Sequence, residues 1–426
     1  MMALEIVNWL QDVGEHLRVW QQRRAMRQPG RGIDYTQDSY RGIVKRVVSR
    51  LHPERMRLRV VEIVQETPTT KTFRCERSDG PSAGSGRSPL PPFRPGQYVN
   101  VFVDVDGVLT SRPFSISSPP SIPPARGGED RRKEGEEGIL ELTVRDKVGG
   151  FVAPYLLHEI QVGDELESTG PKGSFYHEPL IDGDELVFLA GGSGITPFMS
   201  IIRDALRRER PLNIHLLYGS RAPDDVIYGD ELAELAASHS NFTYSPVMSK
   251  APPDYDGLTG LLDANLIREQ VGTVEGKTFY VCGPGVMYDF CMAALDELGV
   301  PSYKVRRELY GPPDDVTQES GWPEGLLGDT IFNVEIANLP PALRGGQRGG
   351  KTVRAPAGEP LMNTLERYGI VVPAVCRSGA CSACRMRLLS GRVFQPAHTA
   401  LRESDREHGY IHACVSYPLE DLRIGL

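Results

Sequence analysis

The sequence predicts a multidomain protein of α/β and β class: an antiparallel β-barrel, then a doubly wound parallel α/β domain, then a small cysteine-bearing domain. Short β-type runs separated by turn residues fill residues 56–182, which is typical of a small barrel. Strand and helix patterns alternate over residues 183–311, which is typical of a parallel sheet covered by helices. Residues 329–426 hold four of the seven cysteines and follow a segment of linker composition, residues 312–328.

Length and composition exclude several classes of protein. A chain of 426 residues, 40% hydrophobic and 24% charged, has room for about three domains of roughly 100 to 200 residues. It has no apolar run of about 18 residues and no signal peptide, so we expect neither a membrane span nor secretion. The net charge of -8 argues against a nucleic-acid partner. Cys75, Cys282 and Cys291 are left unpaired, which fits a cytoplasmic protein.

Residues 1–55 predict an N-terminal amphipathic helical extension. Apolar residues recur there at alternating steps of four and three and therefore share one helical face: Ile6, Leu10, Val13, Leu17 and Trp20. Arginines make the end of the helix basic, and Pro29-Gly30 ends it. The apolar face can dock on the protein's own body, on a partner or second copy, or on a membrane surface.

The barrel strands are predicted from four β-type runs: Arg57–Val64, Thr72–Cys75, Gly96–Val103 and Ile139–Val144. Residues 78–92 and 119–138 interrupt them, are rich in Pro, Gly, Ser and charge, and are expected to be mobile surface insertions. The barrel also holds the segment Arg112-Pro113-Phe114-Ser115. Its arginine can bind an anionic group, its aromatic ring can lie along a flat ring, and its serine can hydrogen-bond a polar ring edge.

The α/β region opens with a buried strand, Leu186–Ala190, which a glycine-rich turn connects to a helix from Phe198 to Leu206. We expect Thr196 to cap this helix and Pro197 to occupy its first turn. The N–H groups at such a helix start suit a dinucleotide pyrophosphate. Further strand–helix units follow, and in a doubly wound sheet the ligand lies across the carboxyl ends of the strands.

The cysteine spacing predicts an iron–sulfur cluster. Cys376, Cys381 and Cys384 form a C-x4-C-x2-C loop with Cys414 further along the chain, which is the plant-type [2Fe–2S] spacing. Small residues separate the ligands, as a loop that curls round a flat cluster requires. The alternatives are a zinc loop, which normally has two separate pairs of closely spaced ligands, and a set of disulfides.

Residues 56–311 resemble the ferredoxin–NADP⁺ reductase family. Arg112-Pro113-Phe114-Ser115 is similar to that family's flavin strand. The resemblance implies that this segment binds the flavin, with Phe114 and Ser115 at the isoalloxazine ring and Arg112 at the phosphate.

A second segment of this resemblance concerns the flavin phosphate. Gly149 and Gly150 are similar to the family's glycine-rich turn that opens a short helix under the phosphate. Ala153 stands where the family usually has serine. The resemblance therefore implies FAD and leaves FMN possible.

The nicotinamide site is also implied by this resemblance. Two segments are similar to the family's turns at the nicotinamide and supply these contacts: Gly192, Ser193, Gly194, Thr196, Cys282, Gly283 and Pro284. Glu308 lies in a segment similar to the one beside the flavin, where it would position nicotinamide or carry a proton. Arg221 can hold a ribose 2′-phosphate, whereas Asp224 and Asp225 suit a free 2′-hydroxyl, so NADH and NADPH both remain open.

Residues 329–426 resemble a plant-type ferredoxin domain, which implies a β-grasp fold. The resemblance gives Cys376, Cys381, Cys384 and Cys414 the role of cluster ligands. We expect arginines on the surface near the cluster: Arg377, Arg385, Arg387 and Arg392. Plant ferredoxins are acidic there, so a different partner is expected.

The order of the three domains resembles the reductase components of multicomponent oxygenases, such as phthalate dioxygenase reductase and its relatives. The hypothesis is an NAD(P)H-dependent oxidoreductase that passes electrons through flavin and a [2Fe–2S] cluster to a separate redox protein, such as an oxygenase. Ser115, Cys282 and Glu308 are its candidate catalytic residues. The alternative is a redox-sensing or activating subunit without turnover of its own.

Overall fold

The computed structural model describes residues 53–79, 89–121, 138–147, 150–337 and 351–426. The helix predicted within residues 1–55, most of the two predicted insertions and Gly149 lie outside the described residues. Residues Arg55–Leu426 form one compact unit. In the part of the chain that is described, no helix has the length and apolar character needed to cross a membrane.

The first sheet has six antiparallel strands in the order β4-β3-β6-β1-β2-β5. Their bounds are β1 Met56–Thr67, β2 Thr70–Arg77, β3 Tyr98–Val105, β4 Val108–Ser115, β5 Ile139–Arg145 and β6 Glu165–Ser168. A bridge between Ile116 and Leu142 joins the two outer strands and closes the sheet into the predicted barrel. Alternate apolar residues fill its interior, as the period of a strand requires. A short helix, α1 (Val152–Glu159), packs against this core.

The second sheet has six parallel strands in the order β10-β9-β8-β7-β11-β12. Its strands are β7 Glu185–Gly191, β8 Asn213–Ser220, β9 Phe242–Met248, β10 Leu258–Thr259, β11 Thr278–Cys282 and β12 Val305–Glu308. Its helices are α2 Pro179–Asp182, α3 Thr196–Arg207, α4 Gly229–Ser238, α5 Ala264–Val271 and α6 Gly285–Glu297. The strand order reverses between β7 and β11, so a ligand crevice is expected at their carboxyl ends.

The third sheet has five strands in the order β14-β13-β19-β15-β17. The strands of this region are β13 Ile331–Ile336, β14 Lys351–Pro356, β15 Arg385–Ser390, β16 Val393–Phe394, β17 Tyr410–His412, β18 Tyr417–Pro418 and β19 Leu422–Gly425. Its helices are α7 Leu361–Arg367 and α8 Glu403–Glu407. Leu361, Met362 and Leu365 of α7 pack into the core of this sheet. A sheet folded around one helix is the β-grasp arrangement that was predicted.

The segment of linker composition, residues 312–328, is packed against the third domain. Val316 is buried, and the ring of Trp322 lies 5.3 Å from that of Phe394 and 6.3 Å from that of Tyr417. Trp322 Nε1 also donates to Leu326 O at 2.9 Å. The segment is therefore held in place along part of its length, while the predicted domain boundaries stay predictions.

Charged hydrogen bonds join the barrel to the parallel sheet. Arg203 of α3 donates to Glu141 Oε2 of β5 at 2.6 Å and, within its own domain, to Glu231 at 2.6 Å. Arg145 at the end of β5 donates to both carboxylate oxygens of Asp225 at 2.6 Å. Because both ion pairs are mostly removed from solvent, they fix the barrel relative to the parallel sheet.

Candidate cofactor sites

Two turns meet at the crevice between β7 and β11. A Cβ on Gly194 would lie 2.2 Å from the carbonyl oxygen of Cys282, and one on Gly283 would lie 3.2 Å from Cα of Gly191. Only glycine allows the turns to approach this closely. Helices α3 and α6 begin directly after the two turns, so both direct N–H groups to this crevice. The crevice therefore suits the phosphates and nicotinamide of a dinucleotide.

The structure corrects the expected role of Thr196. The helix begins at Thr196 itself, and the Thr196 hydroxyl donates to Ser193 O at 3.0 Å, with no side-chain cap. The prediction that Thr196 caps the helix is therefore wrong. Its hydroxyl braces the preceding turn, while Pro197 lies in the first helical turn as predicted.

The three predicted catalytic residues lie close together. Cys282 and Glu308 are paired neighbours at the ends of β11 and β12. Tyr310 connects Glu308 to the barrel, because its hydroxyl donates to Glu308 Oε2 and hydrogen-bonds with Ser115 Oγ at the end of β4. The sequence assigned the Tyr310 segment only to packing beside the flavin. The structure makes its hydroxyl the junction between the two domains.

Burial controls the protonation of this group. Burial raises the pKa of Glu308 to about 8, against the opposing hydrogen bond from Tyr310. Burial also raises the pKa of the fully buried Cys282 thiol well above its ordinary value. At neutral pH, Glu308 therefore holds a proton and Cys282 remains a neutral thiol.

The predicted flavin strand is β4. Arg112 and Phe114 lie on the same strand face, and Phe114 is half-buried against the barrel core. Arg112 Nη1 donates to Thr110 Oγ1 at 2.6 Å and to Ser111 O at 2.8 Å. Burial, and then the charge of nearby Arg377, lower the pKa of Arg112 to about 10, so it remains a cation at neutral pH. A buried cation here suits an anionic group of a cofactor.

One further observation supports a ligand beside β3 and β4. Asn100, paired with Pro113, is fully buried, and both polar atoms of its side chain lack a hydrogen-bond partner. A buried amide normally finds partners, so a polar ligand edge at this place would complete it. Gly150 lies so near the chain that a Cβ on it would be 2.7 Å from Lys147 O. The residues present therefore fit a flavin, and Asn100 is a candidate contact that the sequence analysis did not name.

The four predicted cluster ligands converge. Cys384 Sγ lies 3.3 Å from Cys414 Sγ. The amides of Ser378 and Ala380 each lie 3.4 Å from Cys376 Sγ and donate to it. Hydrogen bonds from the Cys381 and Cys414 thiols, together with the Ser378 amide, lower the pKa of Cys376. Sulfurs that approach in pairs and amides that favour thiolate suit a cluster of two irons.

His412 supports the cluster loop through hydrogen bonds made by both of its ring nitrogens. It is fully buried, with Nδ1 2.8 Å from Gly379 O and Nε2 3.1 Å from Ser382 Oγ. Gly379 and Ser382 both have positive φ, 78° and 58°, which curls the loop. No sequence pattern indicates this role, because a histidine two residues before a cysteine has no characteristic signature.

The expected surface position of Arg377 is wrong. Arg377 is only 4% exposed and pairs with Glu366 of α7, which is 3% exposed. Arg377 Nη2 also donates to Thr110 Oγ1 of β4 at 3.1 Å. The other predicted surface arginines are exposed: Arg385, Arg387 and Arg392. Arg377 differs because the barrel covers it.

The three residues expected near the adenine ribose differ in their environment: Arg221 and Asp224 are exposed, whereas Asp225 is paired with an arginine. Arg221 is exposed just after β8, and its carbonyl accepts from the Lys250 N–H at 2.8 Å. Asp225 is held by Arg145, so its carboxylate is already occupied. Asp224 is exposed. Arg221 therefore remains available to a ligand, and the choice between NADH and NADPH stays open.

Three family models match successive parts of the chain. Residues 90–177 match an oxidoreductase FAD-binding domain, and residues 188–292 match an oxidoreductase NAD-binding domain. Residues 346–419 match a 2Fe-2S iron-sulfur cluster binding domain. The chain is an NAD(P)H-dependent flavin oxidoreductase with its own [2Fe–2S] domain. The matches confirm the predicted cofactors and make FAD the expected flavin.

The oxidoreductase is similar in sequence to subunits of oxygenase systems. It is 27% identical over 377 residues to the glycine betaine monooxygenase reductase subunit of Pseudomonas aeruginosa, covering 86% of this chain and 94% of that protein. It is 29% identical over 376 residues to the ferredoxin reductase component of 3-ketosteroid-9-alpha-monooxygenase from Mycobacterium tuberculosis, with coverage of 86% and 94%.

The oxidoreductase also has the fold of a solved reductase. It superposes on phthalate dioxygenase reductase with a TM-score of 0.61 at 22% identity, covering 87% of this chain and 98% of that structure. The likeness confirms the predicted fold class and the order of the three domains. The roles of individual site residues remain predictions.

Replacing Cys384 tests the cluster as the exit for electrons. We expect Cys384→Ser to reduce NAD(P)H-driven reduction of cytochrome c to background, because the cluster loses one of its thiolates. Reduction of the flavin should remain within about twofold of the wild type, since Cys384 lies in the third domain. Anaerobic stopped-flow spectra and a cytochrome c assay measure the two steps. Cys291→Ala, at a buried thiol outside the cluster, is the control, and survival of cytochrome c reduction in Cys384→Ser would contradict the assignment.

Proposed function

We propose that this oxidoreductase is the reductase component of an oxygenase system. It takes reducing equivalents from NADH or NADPH and delivers single electrons to a separate oxygenase protein. The names of its relatives support an oxygenase as the acceptor. When bound, the flavin accepts a hydride from the nicotinamide and the cluster accepts one electron at a time.

One observation carries the proposal: strand β4 contacts both neighbouring domains. At its end, Ser115 hydrogen-bonds with Tyr310, which donates to Glu308 beside the nicotinamide crevice. Near its start, Thr110 accepts from Arg377, the residue after Cys376. The predicted flavin strand thus lies between the nucleotide crevice and the cluster loop, as electron transfer in that order requires.

The surroundings of Tyr98 also support the order of nucleotide crevice, flavin strand and cluster loop. It pairs with Ser115 across β3 and β4. Burial raises the pKa of its phenol, and negative charge on Cys376, Glu308 and Cys381 raises it further. A Cβ on Gly173 would lie 2.8 Å from the Tyr98 ring and 3.6 Å from Glu308 Oε1. The end of the flavin strand, the carboxyl group and the cluster loop therefore share one neighbourhood.

The chain's own residues would position and protonate the reactants. The turns at Gly192–Pro197 and Cys282–Pro284 would hold the nucleotide against the end of β4. Phe114 and Ser115 would contact the isoalloxazine, while Arg112 would bind the flavin phosphate. Glu308 would hold a proton on its carboxyl group at neutral pH, with Ser115 and Tyr310 connecting it to the flavin strand.

The cluster would be held by Cys376, Cys381, Cys384 and Cys414. Cys381 is exposed, whereas Cys384 and Cys414 are buried. The ligand loop therefore has one edge open to a partner and one edge turned towards the protein. All seven cysteines are free in the described residues, so all four predicted ligands are available to a cluster.

A redox-sensing or activating subunit is the alternative function. It would keep the cluster but would not need a nicotinamide crevice. The close-packed glycine turns, together with the NAD-binding family match, favour turnover.

An anaerobic titration of the loaded protein with NADH and, separately, NADPH tests the proposed function. We expect one nucleotide to bleach the flavin and cluster bands together, at a rate at least tenfold above the other. A purified, fully loaded protein that neither nucleotide reduces would contradict turnover and favour the sensing subunit. Identification of the released flavin completes the experiment.

The raised pKa of Glu308 predicts how the rate of flavin reduction depends on pH. We expect Glu308→Gln to slow flavin reduction by roughly 100-fold with little change in nucleotide binding, since a carboxyl proton is lost. In the wild type, Glu308 is protonated below a pKa of about 8 and ionises above it, so the rate should fall as pH rises through about 8. Single-turnover rates between pH 6 and about 9.5 measure both effects. Glu335→Gln, at an exposed ion pair, is the control. An unchanged rate and pH profile in Glu308→Gln would remove Glu308 from the mechanism.

We propose that the N-terminal extension, for which the sequence predicts an amphipathic helix, docks the acceptor. Deletion of residues 1–30 should then reduce transfer to the oxygenase at least tenfold and leave the reduction of small dyes unchanged, because dyes need no docking surface. Steady-state rates with both acceptors measure this. Loss of dye reduction in the truncated protein would show instead that the segment supports the fold.

A further inference from the structure

A buried polar network joins the barrel to the [2Fe–2S] domain. Arg377 Nη1 donates to Glu366 Oε2 at 3.2 Å, and Arg377 Nη2 donates to Thr110 Oγ1 at 3.1 Å. Thr110 Oγ1 donates to Glu366 Oε2 at 2.9 Å, which closes the triangle. Thr110, Glu366 and Arg377 are 5%, 3% and 4% exposed. We call these three residues the latch.

The latch connects the two segments that matter for internal electron transfer. Arg377 directly follows the predicted ligand Cys376, and Thr110 lies two residues before Arg112 on the predicted flavin strand. The Thr110 hydroxyl also accepts from Arg112 Nη1 at 2.6 Å. A single hydroxyl group therefore contacts the arginine of the flavin strand and the arginine of the cluster loop.

The backbone of Arg377 supports a positioning role. Its φ is 55°, in the left-handed region that a residue with a Cβ seldom adopts. Such a conformation persists where surrounding contacts determine it. Here it directs the guanidinium to Glu366 and Thr110 and away from solvent.

The latch is poorly explained as a device for stability alone. Removing two charges from water costs free energy that their attraction often only offsets, and apolar residues of similar size would frequently stabilise a fold as well. Arg377 Nε has no hydrogen-bond partner, which adds to the cost. What a hydrogen-bonded ion pair supplies and an apolar contact does not is a defined orientation.

We propose that Thr110, Glu366 and Arg377 are positioning residues for electron transfer from flavin to cluster. They hold the cluster loop at a fixed place on β4, and opening the latch separates the cluster from the flavin strand. The inference rests on the proposed function, because it concerns the step between the two cofactors. It adds residues that neither bind a cofactor nor contact the nicotinamide.

Thr110 is the best position for a test, because the other two residues belong to the cluster domain itself. The Arg377–Glu366 pair would also stabilise that domain in isolation, whereas Thr110 contributes from the barrel. Thr110→Val keeps the shape and removes the hydroxyl, and Thr110→Ser keeps the hydroxyl. The pair of variants separates the hydrogen bonds from the packing.

In anaerobic stopped-flow experiments on the loaded protein, we expect Thr110→Val to leave flavin reduction by the preferred nucleotide unchanged. Electron transfer from flavin to cluster should slow at least tenfold, since opening the latch separates the cluster loop from β4 and the electron-transfer rate falls steeply with the distance between donor and acceptor. Thr110→Ser should restore the rate to within about twofold of the wild type. Amide hydrogen exchange in residues 361–367 should accelerate about tenfold in Thr110→Val, which corresponds to about 1.4 kcal/mol.

A variant at a second latch residue tests the proposal independently of Thr110. Glu366→Gln should slow the same step and leave the cluster spectrum unchanged, whereas Glu335→Gln on the exposed face of the domain should do neither. If Thr110→Val transfers electrons at the wild-type rate with unchanged hydrogen exchange, the latch is not a positioning device. Equal slowing in Thr110→Val and Thr110→Ser would likewise reject the hydrogen-bond explanation. A wild-type protein whose flavin is not reduced by either nucleotide would overturn the proposed function instead.

Discussion

Strand β4 contacts both neighbouring domains through the side chains of Thr110 and Ser115. Ser115 is joined through Tyr310 to the parallel sheet, and Thr110 is joined to the [2Fe–2S] domain. Thr110 and Ser115 are five residue steps apart on an antiparallel strand, a distance of about 17 Å. If either contact were lost, the barrel would still fold around its own core, but its neighbours would no longer face the same strand.

Low polarity around the end of β4 determines its chemistry. The same burial that keeps Cys282 a neutral thiol raises the pKa of Glu308 to about 8. In water, an ordinary glutamate would be ionised at neutral pH and could hold no proton to transfer. The environment therefore supports the proposed role of Glu308 as a proton carrier, and hydrogen bonds through Tyr310 connect it to Ser115.

Local sequence patterns predicted most of the architecture and many of the candidate residues that would contact each cofactor. The strand predicted at Leu186–Ala190 lies within one residue of the bounds of β7, Glu185–Gly191, because an apolar run of this length that ends in a glycine-rich turn is more typical of a buried strand than of a helix. The candidate cluster ligands followed from the cysteine spacing, from the small residues between them and from the resemblance to plant-type ferredoxins. The burial of Arg377, which was predicted to lie on the surface, and the burial of Asn100, which was not named, escaped prediction for the same reason: both are polar residues, and only contacts between distant segments bury them. Tyr310 likewise gains its role from Ser115, which lies far away in sequence.

The packed linker changes how transfer to the cluster should be understood. A flexible tether raises the effective concentration of one domain at another, and its benefit depends on its length. Here Trp322 packs against Phe394 and Tyr417, and the domain it leads into is pinned to the barrel by charged hydrogen bonds. The cluster is thus held at β4 by contact geometry as well as by a connection. Under such an arrangement, the rate of electron transfer from flavin to cluster depends on the fraction of molecules in which the third domain is docked on the barrel. It does not depend on the length of residues 312–328.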